Sequence, residues 1–276
     1  MLLIEALKQH CHIYCISLEN RNDRYESACK ELDKIGLKDF VYFHRPKLHE
    51  KGGFYGNFES VLWCLNDSLH KNPSKLILIL EDDICFSVNR FLNTSFSNMF
   101  ITVNNFNKWD TIRLGYWKAI FIDRLYEDTI KTSFYRGNCR GAHAVIWSPI
   151  FAQKVLNDNR NGSIIENNGM FDWYLPSISG RHYLLDRVIC YQKGGFESSL
   201  IWPSKKTQAN FLKNPIQFQI KYQERTYNAW NLIGRFIPNN FICGLFQFGI
   251  VMDIHEIIGM ITKRNSYYIF KNKCLL

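Results

Sequence analysis

Three consecutive acids, Glu81, Asp82 and Asp83, close an unbroken apolar run, Leu76-Ile77-Leu78-Ile79-Leu80. A segment apolar at every position fits a strand covered on both faces, as in a parallel sheet between helices. Carboxylates crowded at the end of such a strand repel one another, and the usual offset is a divalent cation, which prefers hard oxygen ligands. Ligands of α/β sheets bind at the carboxyl ends of strands. The pattern therefore points to a metal-assisted site for a phosphate-bearing substrate. The plainer alternative is a solvated acidic turn.

The elements that must position these acids alternate between strand and helix. His12 to Leu18 reads as a first strand, followed by the polar break Glu19-Asn20-Arg21-Asn22-Asp23-Arg24. A helix follows on Tyr25, Ala28, Leu32 and Ile35, with a stop at Gly36. Phe40-Val41-Tyr42-Phe43 is a short second strand. Gly52-Gly53 and Gly56 mark a mobile loop, after which Asn57 is placed to cap a helix whose apolar face is Phe58, Val61, Leu62, Leu65 and Leu69. Pro73 ends that helix and the acidic strand begins. Further on, Trp109 to Gly115, Ala142 to Trp147 and Arg187 to Tyr191 are strand candidates. Ser148-Pro149 is a cap and first turn for a helix through Leu156, and Phe171-Asp172-Trp173-Tyr174 opens a short helical piece. This order implies an α/β sandwich with a mostly parallel central sheet over residues 1–203.

Residues 204–276 differ in character. They carry 10 basic and 3 acidic residues, whereas residues 1–203 carry 24 and 22, so the net charge of +9 sits mostly in this extension. Such a tail suits an anionic surface, and with no nucleic-acid or zinc motif beside it the expected surface is membrane lipid. The stretch from Phe241 to Ile261 is apolar but is broken by Asp253, His255 and Glu256, too early for a spanning helix of about 20 residues. It reads as an interfacial amphipathic segment or as a helix packed on the main domain. Nine scattered cysteines without a C-x-x-C pair, behind an N-terminus lacking a signal-peptide layout, read as reduced core residues. The expected location is cytoplasmic, peripheral on the inner face of a membrane.

Taken in order, these blocks resemble glycosyltransferase family 25, the group of lipopolysaccharide-type and collagen-type sugar transferases. The resemblance runs from about residue 12 to residue 202. It rests on Ile16-Ser17-Leu18 with Arg24, on Gly56 and Ser60, and on Leu78 to Asp83. It continues through Trp109 to Gly115, Gly141 to Ile146, Phe171-Asp172 and Gln192. The chain has Val61 where the family usually has His after the helix serine, and Val145 where it often has Tyr.

The resemblance implies a GT-A-like nucleotide-sugar-binding fold and an inverting transfer of galactose or glucose from a UDP-sugar. The acceptor would be a hydroxyl of a glycan, lipopolysaccharide, lipid-linked or protein molecule. Ser17, Leu18, Arg21, Arg24, Glu81, Asp82 and Asp83 would hold the donor, with Mn²⁺ or Mg²⁺ stabilising the departing diphosphate. Asp83 is the expected direct metal ligand. Glu81 would reach the metal through water or hold the ribose, and Asp82, pointing the other way in extended backbone, would anchor a loop. His182, and less readily His143, could complete the metal shell. Inversion requires one base on the acceptor hydroxyl, and Asp172 is the first candidate, with Glu197 the second. Two other classes fit the same acids: a Mg²⁺-dependent phosphotransferase or phosphatase, and a catalytically degenerate glycan-binding or membrane scaffold.

Overall fold

The computed structural model describes residues 1–116, 118–125, 134–141, 143–159, 181–185 and 188–193. A helix at Leu3–His10 (α1) leads into Cys11–Ile16 (β1), then Asn22–Lys34 (α2), Val41–His44 (β2), Gly53–Lys71 (α3) and the acidic strand Leu76–Glu81 (β3). Ile84–Phe86 (β4), the short helices Val88–Asn93 (α4) and Asn98–Ile101 (α5), and Thr111–Gly115 (β5) follow. Beyond them come Lys118–Leu125 (β6), Phe134–Arg140 (β7), Ala144–Trp147 (β8), Pro149–Asn159 (α6), His182–Leu185 (β9) and Cys190–Gln192 (β10).

Among the described residues, eight strands form one sheet in the order β2-β1-β3-β8-β5-β9-β7-β6, and β10 pairs with β4 in a second, small sheet. Strands β2, β1 and β3 are mutually parallel, and β5 and β9 are parallel to each other. Strands β8 and β7 run antiparallel to their neighbours, so six of the eight strands point the same way. The α/β reading with a mostly parallel sheet therefore stands, with two reversed strands added.

The unbroken apolar run of β3 is explained by its place in the middle of this sheet. Leu76, Leu78 and Leu80 pack with Leu7, Leu32 and Phe91 from α1, α2 and α4 on one face. Ile77 and Ile79 alternate onto the other face, against Phe58 and Leu65 of α3 and Phe151 and Val155 of α6. Burying each such side chain stabilises the fold by about 1.5–3 kcal/mol, so this strand is held firmly on both sides.

Local signals explain the helix ends. After α2, Gly36 takes φ +67°, and the Leu37 amide donates to Leu32 O at 2.9 Å. Ser148 caps α6 as expected: its Oγ accepts from the Phe151 amide at 3.2 Å, and Pro149 occupies the first turn. The reading of Gly52-Gly53 and Gly56 as a loop is corrected. Only Gly52, at φ +95°, stands outside α3, and the helix begins at Gly53. Asn57 is accordingly in its second turn and not its cap. Helix α1, strand β4 and the β6–β7 hairpin were not expected from the sequence. All seven described cysteines are free. The short helical piece at Phe171 to Tyr174 and the extension from residue 204 lie outside the described residues.

Candidate active site at the carboxyl ends of β1 and β3

Strand register brings the first half of the site together. Ile16, the last residue of β1, pairs with both Glu81 of β3 and His44 of β2. The chain leaving β1 at Ser17 and Leu18 thus starts beside the acids and turns into α2. Arg24 stands in the first turn of α2 and points back over them. Its guanidinium donates to Asp82 Oδ1 at 2.9 Å and to Asp83 Oδ2 at 3.5 Å.

The acids do not alternate as an extended segment would place them. Strand β3 ends at Glu81, and Asp82 and Asp83 form a turn into β4. Asp82 and Asp83 therefore share Arg24, while Glu81 faces elsewhere. Glu81 Oε1 accepts from Asn57 Nδ2 of α3 at 3.2 Å, and its Oε2 accepts from Gln192 Nε2 of β10 at 3.1 Å. The expectation that Asp82 points away from Asp83 is corrected for this reason: the pleat stops one residue before it applies. The mutual repulsion assigned to a cation is instead offset in part by Arg24.

Burial dominates the electrostatics. Asp82 is 5% exposed. Burial raises its pKa, against Arg24 and the nearby Ser17 hydroxyl, which favour the charged form. Burial raises Asp83 further, to about 6; Arg24 opposes the rise, Asp82 adds to it, and Gln192 opposes it. Asp83 Oδ1 is buried with no hydrogen-bond partner. A buried carboxylate oxygen left in that state is unusual and calls for a ligand or a role.

Arg21 takes a different position from Arg24. It forks onto Asp23 at 2.9 and 3.0 Å, and this hydrogen bonding holds the exposed Asp23 at about 2. Arg21 still lies close enough to favour the charged form of Asp82. Sequence reasoning missed Arg45, which fastens the loop after β1. One of its terminal nitrogens donates to Glu19 O at 2.8 Å and to Asn22 Oδ1 at 2.7 Å, and its guanidinium lies over Tyr25 at 4.5 Å. Only a lone arginine after the second strand could have signalled this. Lys193 was missed as well. It donates to Ser27 Oγ at 3.0 Å and pairs with Glu31, tying the end of β10 to α2 beside the acids.

The two histidines do not join the acids. His182 opens β9 in register with Thr111, which pairs with Trp147, itself level with Ile77. It thus stands at the opposite end of the sheet from Glu81, about 13 Å along the strands and three strands across. There its Nδ1 lies 2.8 Å from Thr111 Oγ1. Its place in the metal shell is corrected on that ground. His143 is nearer in the chain path, since its carbonyl accepts from the Glu81 amide at 3.1 Å. Its ring, however, turns to Cys190 O at 3.3 Å, and burial depresses its pKa to about 4. Asp172 and Glu197 lie outside the described residues. Among those described, no three His, Cys, Asp or Glu side chains form a group able to hold a metal ion.

A small void of about 10 Å³, room for about one water, lies beside Glu81, lined by Ile16, Asn57, Val61, Ile79, Val145 and Trp147. Val61 and Val145 both line this void.

No family model matches the chain, and no curated protein matches it. Among solved structures, it is similar to the crystal structure of a glycosyltransferase involved in the glycosylation of the major capsid of PBCV-1. The identity is 12%, over 63% of this chain and 80% of that one, with a TM-score of 0.40. It is also similar to the crystal structure of A197 from STIV, at 13% identity over 69% and 87% of the two chains, with a TM-score of 0.39. Likeness at this level is one of broad outline and assigns no residue a role.

Proposed function

We propose that the protein is a glycosyltransferase of GT-A type that binds a nucleotide-sugar at the carboxyl ends of β1 and β3. One observation carries this reading: a buried, unpartnered carboxylate oxygen, Asp83 Oδ1, held beside Arg24 where the chain leaves two parallel strands. Ligands of α/β folds bind at this place, and the resemblance of the ordered motifs to glycosyltransferase family 25 agrees with it.

In this reading Arg24 and Arg21 supply positive charge toward a diphosphate, and the Asn57 and Gln192 amides hold Glu81 at one orientation for the ribose or for a water. Asp83 fits a single protein ligand to Mn²⁺ or Mg²⁺, since such ions keep waters and substrate oxygens in the rest of their shell. A cation there would counter the charge that grows on the departing diphosphate. Asp172, or else Glu197, takes the proton from the acceptor hydroxyl as the new glycosidic bond forms on the face opposite the leaving group. The donor class is UDP-galactose or UDP-glucose, and the acceptor is a glycan, lipid-linked or protein hydroxyl.

The test is a panel of UDP-sugars with Mn²⁺, scored for slow UDP release without acceptor and for UDP binding by calorimetry. Release from one hexose donor is expected. Absence of both release and binding across the panel would overturn the reading.

A further inference from the structure

Trp63 of α3 is 38% exposed and Tyr42 of the edge strand β2 is 50% exposed, a large aromatic surface for neighbouring positions. They are not loose. The indole lies nearly parallel to the His44 ring, at 4.2 Å and 11°, and to the Tyr42 ring, at 5.8 Å and 21°. Tyr42 and His44 are two residues apart on one strand, so their side chains share a face. Trp63 spans both of them. Buried Tyr14 stands edge-on beneath, against Tyr42 at 5.9 Å and Trp63 at 6.4 Å. Lys71 Nζ covers Tyr42 at 4.9 Å. The result is an aromatic cluster held together by its own ring contacts and partly exposed at Trp63 and Tyr42.

The surroundings of that cluster are polar but electrically balanced. Lys71 is paired with Asp67 at 2.7 Å. Glu59 and Asn66 lie four residues before and three residues after Trp63, which sets them beside it on α3; both are exposed, and Glu59 lies 3.3 Å from His49 Nε2. A rigid aromatic face bordered by a carboxylate and an amide suits a neutral ligand with an apolar C–H face and hydroxyls round its rim. That is the chemistry of a sugar ring.

The platform also continues into the candidate site. Ile16 pairs in register with both Glu81 and His44, on which Trp63 is stacked. Glu81 and His44 are therefore two strands apart, about 10 Å, a distance that a short oligosaccharide bridges.

We propose that Tyr42, His44 and Trp63 form a subsite for a neutral oligosaccharide acceptor, stacking an inner sugar on Trp63 while the terminal sugar reaches toward Glu81. This rests on the transferase reading for the role of the ligand, and on the platform alone for its binding.

The experiment is calorimetry and saturation-transfer NMR of the full chain with cellotriose, maltotriose, galactotriose and chitotriose. At least one is expected to bind, with Trp63→Ala weakening it about tenfold or more, a loss of 1.4 kcal/mol. Trp63→Phe should keep most of the affinity. If Trp63→Ala loses its fold by circular dichroism, the exposed variants Asn66→Ala and Glu59→Ala decide, and both should weaken binding. No binding by the wild type at millimolar sugar, or equal binding by the variants, overturns the subsite. So does a wild type that dimerises through this face in sedimentation and binds no sugar. UDP binding without trisaccharide binding defeats the subsite alone. Trp63-dependent trisaccharide binding without nucleotide binding defeats the transferase reading alone.

Discussion

Arg24 partly fills the place that charge repulsion reserves for a cation, and this sets what Asp83 does with pH. Asp83 has its folded pKa raised to about 6 from an ordinary value of 3.8, through burial. A raised carboxyl binds its proton more tightly when folded. Its contribution to stability is therefore fully present at low pH and is lost as pH rises through about 6. Asp83→Asn should flatten that loss, making the variant more stable than the wild type above pH 6 in urea titrations. The same variant should release UDP slower by orders of magnitude, because the amide cannot take the role proposed for the carboxylate. A gain of stability paired with a loss of turnover is the expected signature; an Asp83→Asn protein that is less stable at pH 7.5 counts against the electrostatic account. Arg24→Ala should act oppositely. Removing one partner of a largely buried pair costs roughly 3–5 kcal/mol, and here it strands two acids, at 2.9 and 3.5 Å from the lost guanidinium. The loss should shrink as pH falls through about 6, where Asp83 takes a proton, and a pH-independent loss would assign it to packing.

At the scale of elements, the acidic strand is coupled to its neighbours through backbone contacts that side-chain patterns do not reveal. Gly115 ends β5 where a Cβ would come within 2.2 Å of His143 Nε2 and 2.6 Å of Cys190 O. The His143 carbonyl in turn accepts from the Glu81 amide. Gly115→Ala should push His143 and β10 away, lowering stability by about 1–3 kcal/mol as other overpacked cores do. It should also weaken UDP binding, because β10 carries the Gln192 that orients Glu81. Unchanged thermal stability would show that the close approach relaxes cheaply. This coupling explains what was legible. Strand β3 could be read because burial on both faces leaves an apolar residue at every position, and α6 because Ser148-Pro149 is a local signal. The reversal of β8 could not, since strand direction is fixed by partners and not by pattern. The β6–β7 hairpin mixes lysines, arginines and asparagine with its apolar residues and so gives no clean alternation. Asn57 shows the same limit: residue type suggested a cap, whereas its position in the second turn of α3 makes it a donor to Glu81. Arg24 could be named from the motif, but its two partners required the turn at Asp82.

Across the whole molecule, charge is unevenly spread. Residues 1–203 are nearly balanced, with 24 basic and 22 acidic residues, and residues 204–276 carry 10 and 3. No described helix is long and apolar enough to cross a membrane. Each lysine or arginine near an anionic leaflet contributes about 1 kcal/mol, and the attraction fades beyond the Debye length of roughly 10 Å at 0.1 M salt. A neutral bilayer gives no such term. The full chain should therefore sediment with vesicles containing phosphatidylserine, should bind phosphatidylcholine vesicles far more weakly, and should leave the anionic ones as salt is raised. Replacing Lys205, Lys206, Lys213 and Lys221 by glutamine removes four of the ten charges and should lower the vesicle affinity severalfold while UDP release, measured without lipid, is unaltered. Equal binding to both lipids, or binding indifferent to salt, would place the membrane contact on the apolar stretch from Phe241 to Ile261 and not on the basic residues.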